Sequence, residues 1–509
     1  MPGYDLTRDR RARDRETLET NTVDVLVVGG GVTGAGVALD AATRGLSVAL
    51  VEGRDLAFGT SRWSSKLAHG GLRYLASGQI GVAWESAVER RHLMGTIAPH
   101  LVRPLPHVMP AFDDTRGADR ALVRVGLGAA DTLRVLAGTP RGTLARARTV
   151  DAETVTRLVP GISRDRLRGG TVHWDGQLVD DARLVVAIAR TAAFYGARII
   201  TRAHATDVTG GGARVRDDLD GGEFDVRARR VIVATGVWTG MLDPETQLVA
   251  SRGSHAVLAP GRLAGAALTV PVPGHRGRFV FALPTMEGPV IAGITDDPIE
   301  GPIPDVPEAP EADIRWILEH LSTALAVPLR SEDVIGTYAG LRPLVAPQGS
   351  TETADISRRH LVRRRDDGVV IITGGKLTTY RRMAQDALDA ARIDGAGACV
   401  TTRTPLVGAQ PFSTPPPPGV PARLVHRYGA EASRVAGLAA DDADLLAPVG
   451  EGVPVLGVEV AFAIRAEGAL ALDDIVERRT RLSVTPALLD RARDRIADIA
   501  HSIDDRIDP

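Results

Sequence analysis

Lysine is almost missing from this chain. Of its 61 Lys and Arg residues only two, Lys66 and Lys376, are lysines. Cysteine is scarcer: Cys399 stands alone, which excludes a disulfide framework and CxxC redox or zinc chemistry and fits a reducing compartment. Net charge is small, −2 over 509 residues, which argues against a dedicated nucleic-acid binder. No apolar core marks "MPGYDLTRDRRARDRETLETNT" as a secretory signal. The most hydrophobic window, "VDVLVVGGGVTGAGVALDAATRGLSVALVE", holds Asp40, Arg44 and many glycines. It reads as strand, turn, helix and strand, not as a membrane span. These absences leave peripheral membrane attachment open.

What is present is a well-cored globular chain, 44% hydrophobic and 24% charged. Arginine is its default cation, so the two lysines ask for a reason. Each sits in a small-residue, hydroxyl-rich stretch, "SSKLAHGGLRY" and "GGKLTTYRR". Lysine offers a compact point charge where arginine offers a wide planar fork, so a cramped site beside a phosphate or a cofactor ring demands the smaller head.

The run "VDVLVVGG" predicts a buried parallel strand, "TGAGVALDAATRG" a helix stopped at Gly45, and "LSVALVE" a second strand. Strand–glycine–helix patterns recur near positions 232 and 370, with proline-richer antiparallel segments between. The predicted class is α/β: a Rossmann-type nucleotide-binding domain, an antiparallel β substrate domain and a C-terminal α-helical cap. Residues 1–20 form an arm; 21–95, 165–245 and 335–398 the discontinuous nucleotide domain; 96–164 and 246–334 the substrate domain. Residues 399–420, ending in "PFSTPPPPGVP", are a stiff proline linker, and 421–509 a helical domain in which Pro486 starts a helix capped by Thr485.

Gly29, Gly31 and Gly34 have GxGxxG spacing after a strand and before a helix. Gly29 suits the tight turn, Gly31 close approach to a pyrophosphate and Gly34 helix–strand packing. Gly30, Val32 and Thr33 complete the phosphate loop, whose helix N-terminus favours an anion. Glu52 closes the second strand, where a carboxylate accepts ribose hydroxyls. A flavin is held along its whole length, so later segments must return to it. Thr60, Ser61, Ser64, Ser65 and Lys66 in "GTSRWSSKLAHGGLRYL", Gly236 after "VIVATG", and Gly374, Gly375, Leu377 and Thr378 in "ITGGKLTTYR" suit that task, Thr379 adding a hydroxyl. FAD is therefore the expected cofactor, and no metal is expected.

"GGGVTGAGVALDAATRGLSVALVE", "SSKLAHGGLRYL", "VDDARLV", "TYAGLRPL" and "GGKLTTYRRMA" resemble the FAD-dependent glycerol-3-phosphate dehydrogenase family, which includes the α-glycerophosphate oxidases. The similarity runs from about residue 20 to 395, and "EGALALDDIVERRTRL" resembles the family's helical cap. The resemblance implies oxidation of glycerol 3-phosphate to dihydroxyacetone phosphate, with electrons passed to membrane quinone, or to oxygen in the oxidases. It implies substrate binding by Arg73, Tyr74, Arg342, Arg358 (Arg359 as the alternative) and Lys376, with His69 near the reacting carbinol. His69, Arg342 and Lys376 are the catalytic candidates, and Lys66 a brace for the flavin loop. A homodimer on the cytoplasmic face of the membrane is the expected setting. A flavin-bound regulatory protein without turnover is the reading from another class.

Physical chemistry points the same way. A phosphate monoester needs clustered forked cations. Histidine is matched to accept a hydroxyl proton near neutral pH, and a fixed cation stabilises a developing alkoxide. His69 is either that base or a flavin hydrogen-bond partner. His255 lines the substrate face or is a core histidine. Arg124 and Arg134 flank an amphipathic stretch that either rests on anionic lipid or packs as an ordinary helix. Asp180 and Asp181 read as a helix N-cap.

Overall fold

The structure, a computed structural model, describes residues 2–71, 79–113, 117–261, 263, 265–275, 278–345 and 359–507. Two sheets organise it. The first has strands His360–Arg364, Val370–Gly374, Glu223–Val233, Val23–Val28, Val48–Glu52 and Arg198–Thr201 side by side. All neighbours are parallel except the antiparallel edge strand His360–Arg364. Val23–Val28 is apolar on both faces because both are covered. Val25 and Val27 point to the core shared with helices Val32–Thr43, Asp181–Phe194 and Tyr380–Ala391. Leu26 and Val28 point to a second core closed by the meander Ala203–Thr209, Gly212–Asp217, Glu223–Val233.

Of the helical or loose arm that the composition of the first residues allows, the structure takes the helical form. Helix Arg8–Thr20 lies on that second core through Leu18, and Arg11 makes a buried bidentate pair with Asp217 (2.8 and 3.0 Å).

The second sheet is mostly antiparallel. Its order is Asp297–Pro298, Leu248–Leu258, Val290–Gly293, Phe279–Pro284, Ala267–Pro271, Val102–Phe112, Leu167–Leu178, Leu67–Ala68, with Val334–Val345 also on Leu248–Leu258. Three strands whose residues the sequence pattern assigns to the nucleotide domain (Val334 apart), Leu67–Ala68, Leu167–Leu178 and Val334–Val345, belong here instead. Local pattern announces a strand but not its partner. Leu167–Leu178 joins Val102–Phe112 from Val102↔Leu178 to Phe112↔Leu167, a pairing that only the assembled sheet reveals.

The segment before the proline run also departs from a free linker. Leu406 and Val407 are buried, and the Val407 N–H donates to Thr191 Oγ1 (3.0 Å). Beyond it the chain is helical, as expected, with Ala422–Tyr428, Gly457–Ala466 and Pro486–Ile503 among its elements. Pro486 occupies the first helical turn, but Thr485 makes no side-chain capping bond.

Arginine predominance has a visible use where this cap meets the nucleotide domain. Arg183 grips Glu467 (2.7 and 3.1 Å), Arg190 grips Glu431 (2.6 and 3.0 Å), and Arg427 reaches Asp180 (3.1 Å). Forked donors match carboxylates two bonds at a time. Asp55 accepts from Arg478 Nε (2.7 Å) and both Arg479 terminal nitrogens (2.8 and 2.9 Å).

Burial pushes the Asp55 carboxyl up, but Arg479 and Arg478 outweigh it and bring it down to about 2 from 3.8. A depressed folded pKa means stability present above the unfolded value and lost as pH falls from about 4 toward 2. Asp55→Asn leaves two buried guanidiniums short of their anion. It is expected to cost about 3–5 kcal/mol and to flatten the stability loss in that acid window, as denaturant melts at several pH values would read. Unchanged melts would remove Asp55 from the docking contact.

Candidate active site

A cleft of about 780 Å³ runs between the sheets. One end is built by the turn after Val23–Val28. Gly29 has φ +112°, and an added Cβ would stand 2.6 Å from the Ala234 carbonyl oxygen. Gly34 lies behind the lining, where a Cβ would fall 1.8 Å from the Gly29 oxygen. Gly31 differs: its Cβ would point into the cleft, nearest to Ser61 Oγ at 3.2 Å. Val32 and Thr33 line the cleft at the helix N-terminus, and the Val32 N–H donates to Ser61 Oγ (2.9 Å). Glu52 also lines it, accepting the Gly30 and Arg54 N–H groups. Burial raises the Glu52 pKa against those two bonds.

The "SSK" loop is set by Asp181, buried at the start of helix Asp181–Phe194. Its carboxylate accepts from the Ser64 N–H (2.9 Å), Ser64 Oγ (2.7 Å) and Lys66 Nζ (2.7 Å). Asp180 is the N-cap, accepting from Ala182 and Arg183 N–H groups. So the acidic pair divides: one residue caps and the other ties the loop. Lys66 lies outside the lining, a brace with φ +57°.

Ser65 Oγ bonds His255 Nε2 (2.9 Å), and Thr60 Oγ1 donates to the Leu341 carbonyl (2.6 Å). The hydroxyls of Thr60, Ser64 and Ser65 thus bond to protein while their residues line the cleft. His255 is a core histidine: it is fully buried and stacked 4.5 Å from Tyr338. Burial, then Arg342 and Lys66, hold its pKa far below the ordinary value.

Gly236, Gly374, Gly375, Leu377 and Thr378 close the other wall. Gly374 and Gly375 take φ +77° and +73°, turning the chain so that Lys376 follows extended. The Lys376 ammonium bonds Ser86 Oγ and reaches the Val82 carbonyl (3.5 Å) on helix Ile80–His92.

Arg342 comes from strand Val334–Val345, opposite Ser251. It pairs with Asp296 (3.3 Å) and donates to the Thr295 carbonyl (3.2 Å). His69, Arg342 and Lys376 all line this one cleft. Arg73, Tyr74 and Arg358 lie outside the described residues. Arg359 is exposed, with its guanidinium near Gly81, outside the lining.

The lining residues that escaped the sequence reading include His107, His173, Asp175 and Asp296. A signal for two of them was available. In "HWDGQ" the polar residues His173, Asp175 and Gln177 alternate, which on a strand places them on one face.

The amphipathic stretch proves to be helix Gly117–Leu136. Its Arg134 is buried, bonded to Asp131 (2.8 Å) and the Thr139 carbonyl (2.9 Å), so it does not face lipid. Leu133 packs on Val82 and Ala83. The Arg124 side chain lies outside the described residues. Among the described residues no helix is long and apolar enough to cross a membrane.

A Rossmann-type glycine turn that lines a two-sheet cleft, with cations and histidines in the same lining, is the arrangement of a flavin-dependent oxidoreductase. Residues 24–381 match the family described as FAD dependent oxidoreductase, and residues 399–503 the C-terminal domain of alpha-glycerophosphate oxidase. Glycerol-3-phosphate dehydrogenase 1 of Mycobacterium tuberculosis is 49% identical, covering 97% of each chain. A mitochondrial glycerol-3-phosphate dehydrogenase of Arabidopsis thaliana is 36% identical, covering 95% of this chain and 83% of its own. Glycerol-3-phosphate dehydrogenase from Bacillus halodurans, solved with FAD, shares the fold at TM-score 0.74 and 24% identity, covering 98% of this chain and 94% of that one. The chain belongs to the FAD-dependent glycerol-3-phosphate dehydrogenase family.

FAD is its cofactor. The space at Gly31 and a cleft of about 780 Å³ fit that group.

Proposed function

We propose that this protein oxidises sn-glycerol 3-phosphate to dihydroxyacetone phosphate and passes the electrons to a membrane quinone. One observation carries the reading: His69, Arg342 and Lys376 share the cleft with the dinucleotide cradle. The names of its relatives support the same substrate.

FAD, when bound, supplies the hydride acceptor. Gly29, Gly31, Val32 and Glu52 would hold its adenine half, and the loops at Thr60–Ser65 and Gly374–Thr378 its flavin half. His69 takes the hydroxyl proton as hydride leaves the same carbon. Lys376 and Arg342 stabilise the charge growing on oxygen. Arg342, with Arg73, Tyr74 and Arg358, holds the phosphate by forked, charge-assisted bonds. Peripheral contact with the membrane brings the reduced protein to its acceptor, as a homodimer on the cytoplasmic face.

Glycerol 3-phosphate is expected to bleach the flavin anaerobically, while glycerol at equal concentration bleaches it at least a hundredfold more slowly. Losing the phosphate leaves its cations without their anion, a penalty of several kcal/mol. Equal rates would refute the phosphate pocket. Reoxidation then separates two acceptors. The match to the alpha-glycerophosphate oxidase C-terminal domain favours oxygen as the second reading. Rapid reoxidation by a soluble quinone and slow reoxidation by air supports the dehydrogenase; the reverse supports the oxidase.

A further inference from the structure

The reaction end of the cleft carries a polar row that the chemistry above leaves unused. Strands Val102–Phe112 and Leu167–Leu178 place His107 opposite His173 and Leu105 opposite Asp175. The two imidazoles stack with centroids 5.1 Å apart. On the other edge of Leu167–Leu178, strand Leu67–Ala68 pairs Ala68 with Gly176 and then leads into His69. The Gly70 N–H donates to Asp175 Oδ1 (2.9 Å), and Arg90 of helix Ile80–His92 donates to the same oxygen. Asp175 therefore ties down the turn that carries His69.

Burial, then His173, pushes His107 down to about 3, and burial lowers His173 as well, so both rings are neutral near pH 7. His107 Nε2 and His173 Nδ1 have no hydrogen-bond partner among the described residues. Burial pushes the Asp175 carboxyl up. Arg90, His69 and His107 outweigh it and hold the carboxyl below its ordinary value, hence ionised. Among the described residues that bond this turn, the fixed charges are Asp175 and Arg90, of opposite sign.

We propose that Asp175 is the positioning residue for His69: it fixes the turn and supplies the anion that stabilises the His69 imidazolium, while Arg90 sets how much of that charge His69 feels. This rests on the reading of His69 as the base. The proton moves from the substrate hydroxyl to an imidazole nitrogen of His69 as hydride passes from carbon to the flavin; Asp175 stays ionised. The neutral His107 and His173 keep the row polar without adding charge that would oppose the imidazolium.

Two substitutions with opposite signs test this in the full-length, flavin-loaded protein. Asp175→Asn removes the anion and leaves Arg90 facing His69; Arg90→Gln removes the opposing cation. Histidine-selective carbon-13 labelling, with His69→Gln to assign the signal, follows the His69 titration by NMR. The His69 midpoint is expected to move to lower pH in Asp175→Asn and to higher pH in Arg90→Gln, by Coulomb's law.

The rate of flavin reduction by glycerol 3-phosphate should fall on the order of tenfold or more in Asp175→Asn, with its acid limb displaced the same way as the midpoint. Asp175→Glu, which keeps the charge, should restore the parent midpoint more nearly than the parent rate. A midpoint unmoved in both folded variants, or moved the same way in both, overturns the proposal. If Asp175→Asn does not fold, Arg90→Gln alone must still shift upward, and its failure to do so is equally fatal. Should glycerol 3-phosphate leave the parent flavin oxidised, the functional reading fails, whereas opposite titration shifts would still stand.

Discussion

Gly31→Val is expected to give a folded but colourless protein. The backbone at Gly31 has φ −74° and ψ −178°, extended values open to any residue. Its added Cβ meets only Ser61 Oγ, at 3.2 Å, so the protein itself has room for a side chain. That room lies in the cleft, at a helix N-terminus, the end of a helix that favours a bound anion such as the proposed pyrophosphate. Valine's methyl groups fill it and push against Ser61, which takes the Val32 N–H.

FAD affinity should drop by at least about a hundredfold, because close backbone approach is the task of the second glycine. Gly34→Ala is the contrast. Its Cβ would stand 1.8 Å from a backbone oxygen, so it should fail by misfolding and not by losing ligand alone. Flavin-to-protein absorbance ratios, read with circular dichroism and thermal melts, separate the two. A Gly31→Val protein that keeps its full flavin content would overturn the assignment of this turn to the pyrophosphate.

The two glycines also show what is legible in a sequence of this kind. The first strand, its glycine turn and its helix announce themselves because all their determinants lie within a few residues. The fold class follows from repetition of that unit, and the solved structures share it. Sheet membership is different. "LRGGTVHWDGQL" has the same strand pattern whichever sheet receives it, and its partner Val102–Phe112 is more than fifty residues earlier.

His107 and Asp175 illustrate the same limit within the site. The alternation of His173, Asp175 and Gln177 is readable, but His107 lies on a strand more than fifty residues earlier, and only the antiparallel register brings it to their face. Arginine abundance was visible but its use was not, since Glu467, gripped by Arg183, and Asp55, gripped by Arg478, are hundreds of residues away. The hydroxyls of "SSK" read as flavin contacts, yet three-dimensional bonding commits two of them to Asp181 and His255.

Lys376→Arg is expected to slow flavin reduction by at least about a hundredfold while flavin content and fold are kept. Lys376 follows two left-handed glycines and crosses the cleft wall in an extended conformation, φ −142° and ψ 151°. Its ammonium bonds Ser86 Oγ and points toward the Val82 carbonyl, two acceptors one helical turn apart. A compact head with three rotatable donors serves both and still presents charge to the cleft. Arginine is longer and planar. If its fork satisfies Ser86, the cation withdraws toward the helix; if it stays in the cleft, it occupies substrate space. Either displacement is on the order of 1 Å, enough for a hundredfold loss when the group stabilises a transition state.

Lys66→Arg provides the matched control. Lys66 lies outside the cleft lining and bonds the Asp181 carboxylate, a partner that a guanidinium also satisfies. Its reduction rate should stay within about tenfold of the parent. Stopped-flow reduction by glycerol 3-phosphate, with substrate affinity and flavin content measured on both variants, decides the matter. A Lys376→Arg protein that reduces its flavin at the parent rate would mean that this lysine is a compositional survivor in an arginine-rich chain, and that Arg342 alone meets the charge developing on the substrate oxygen.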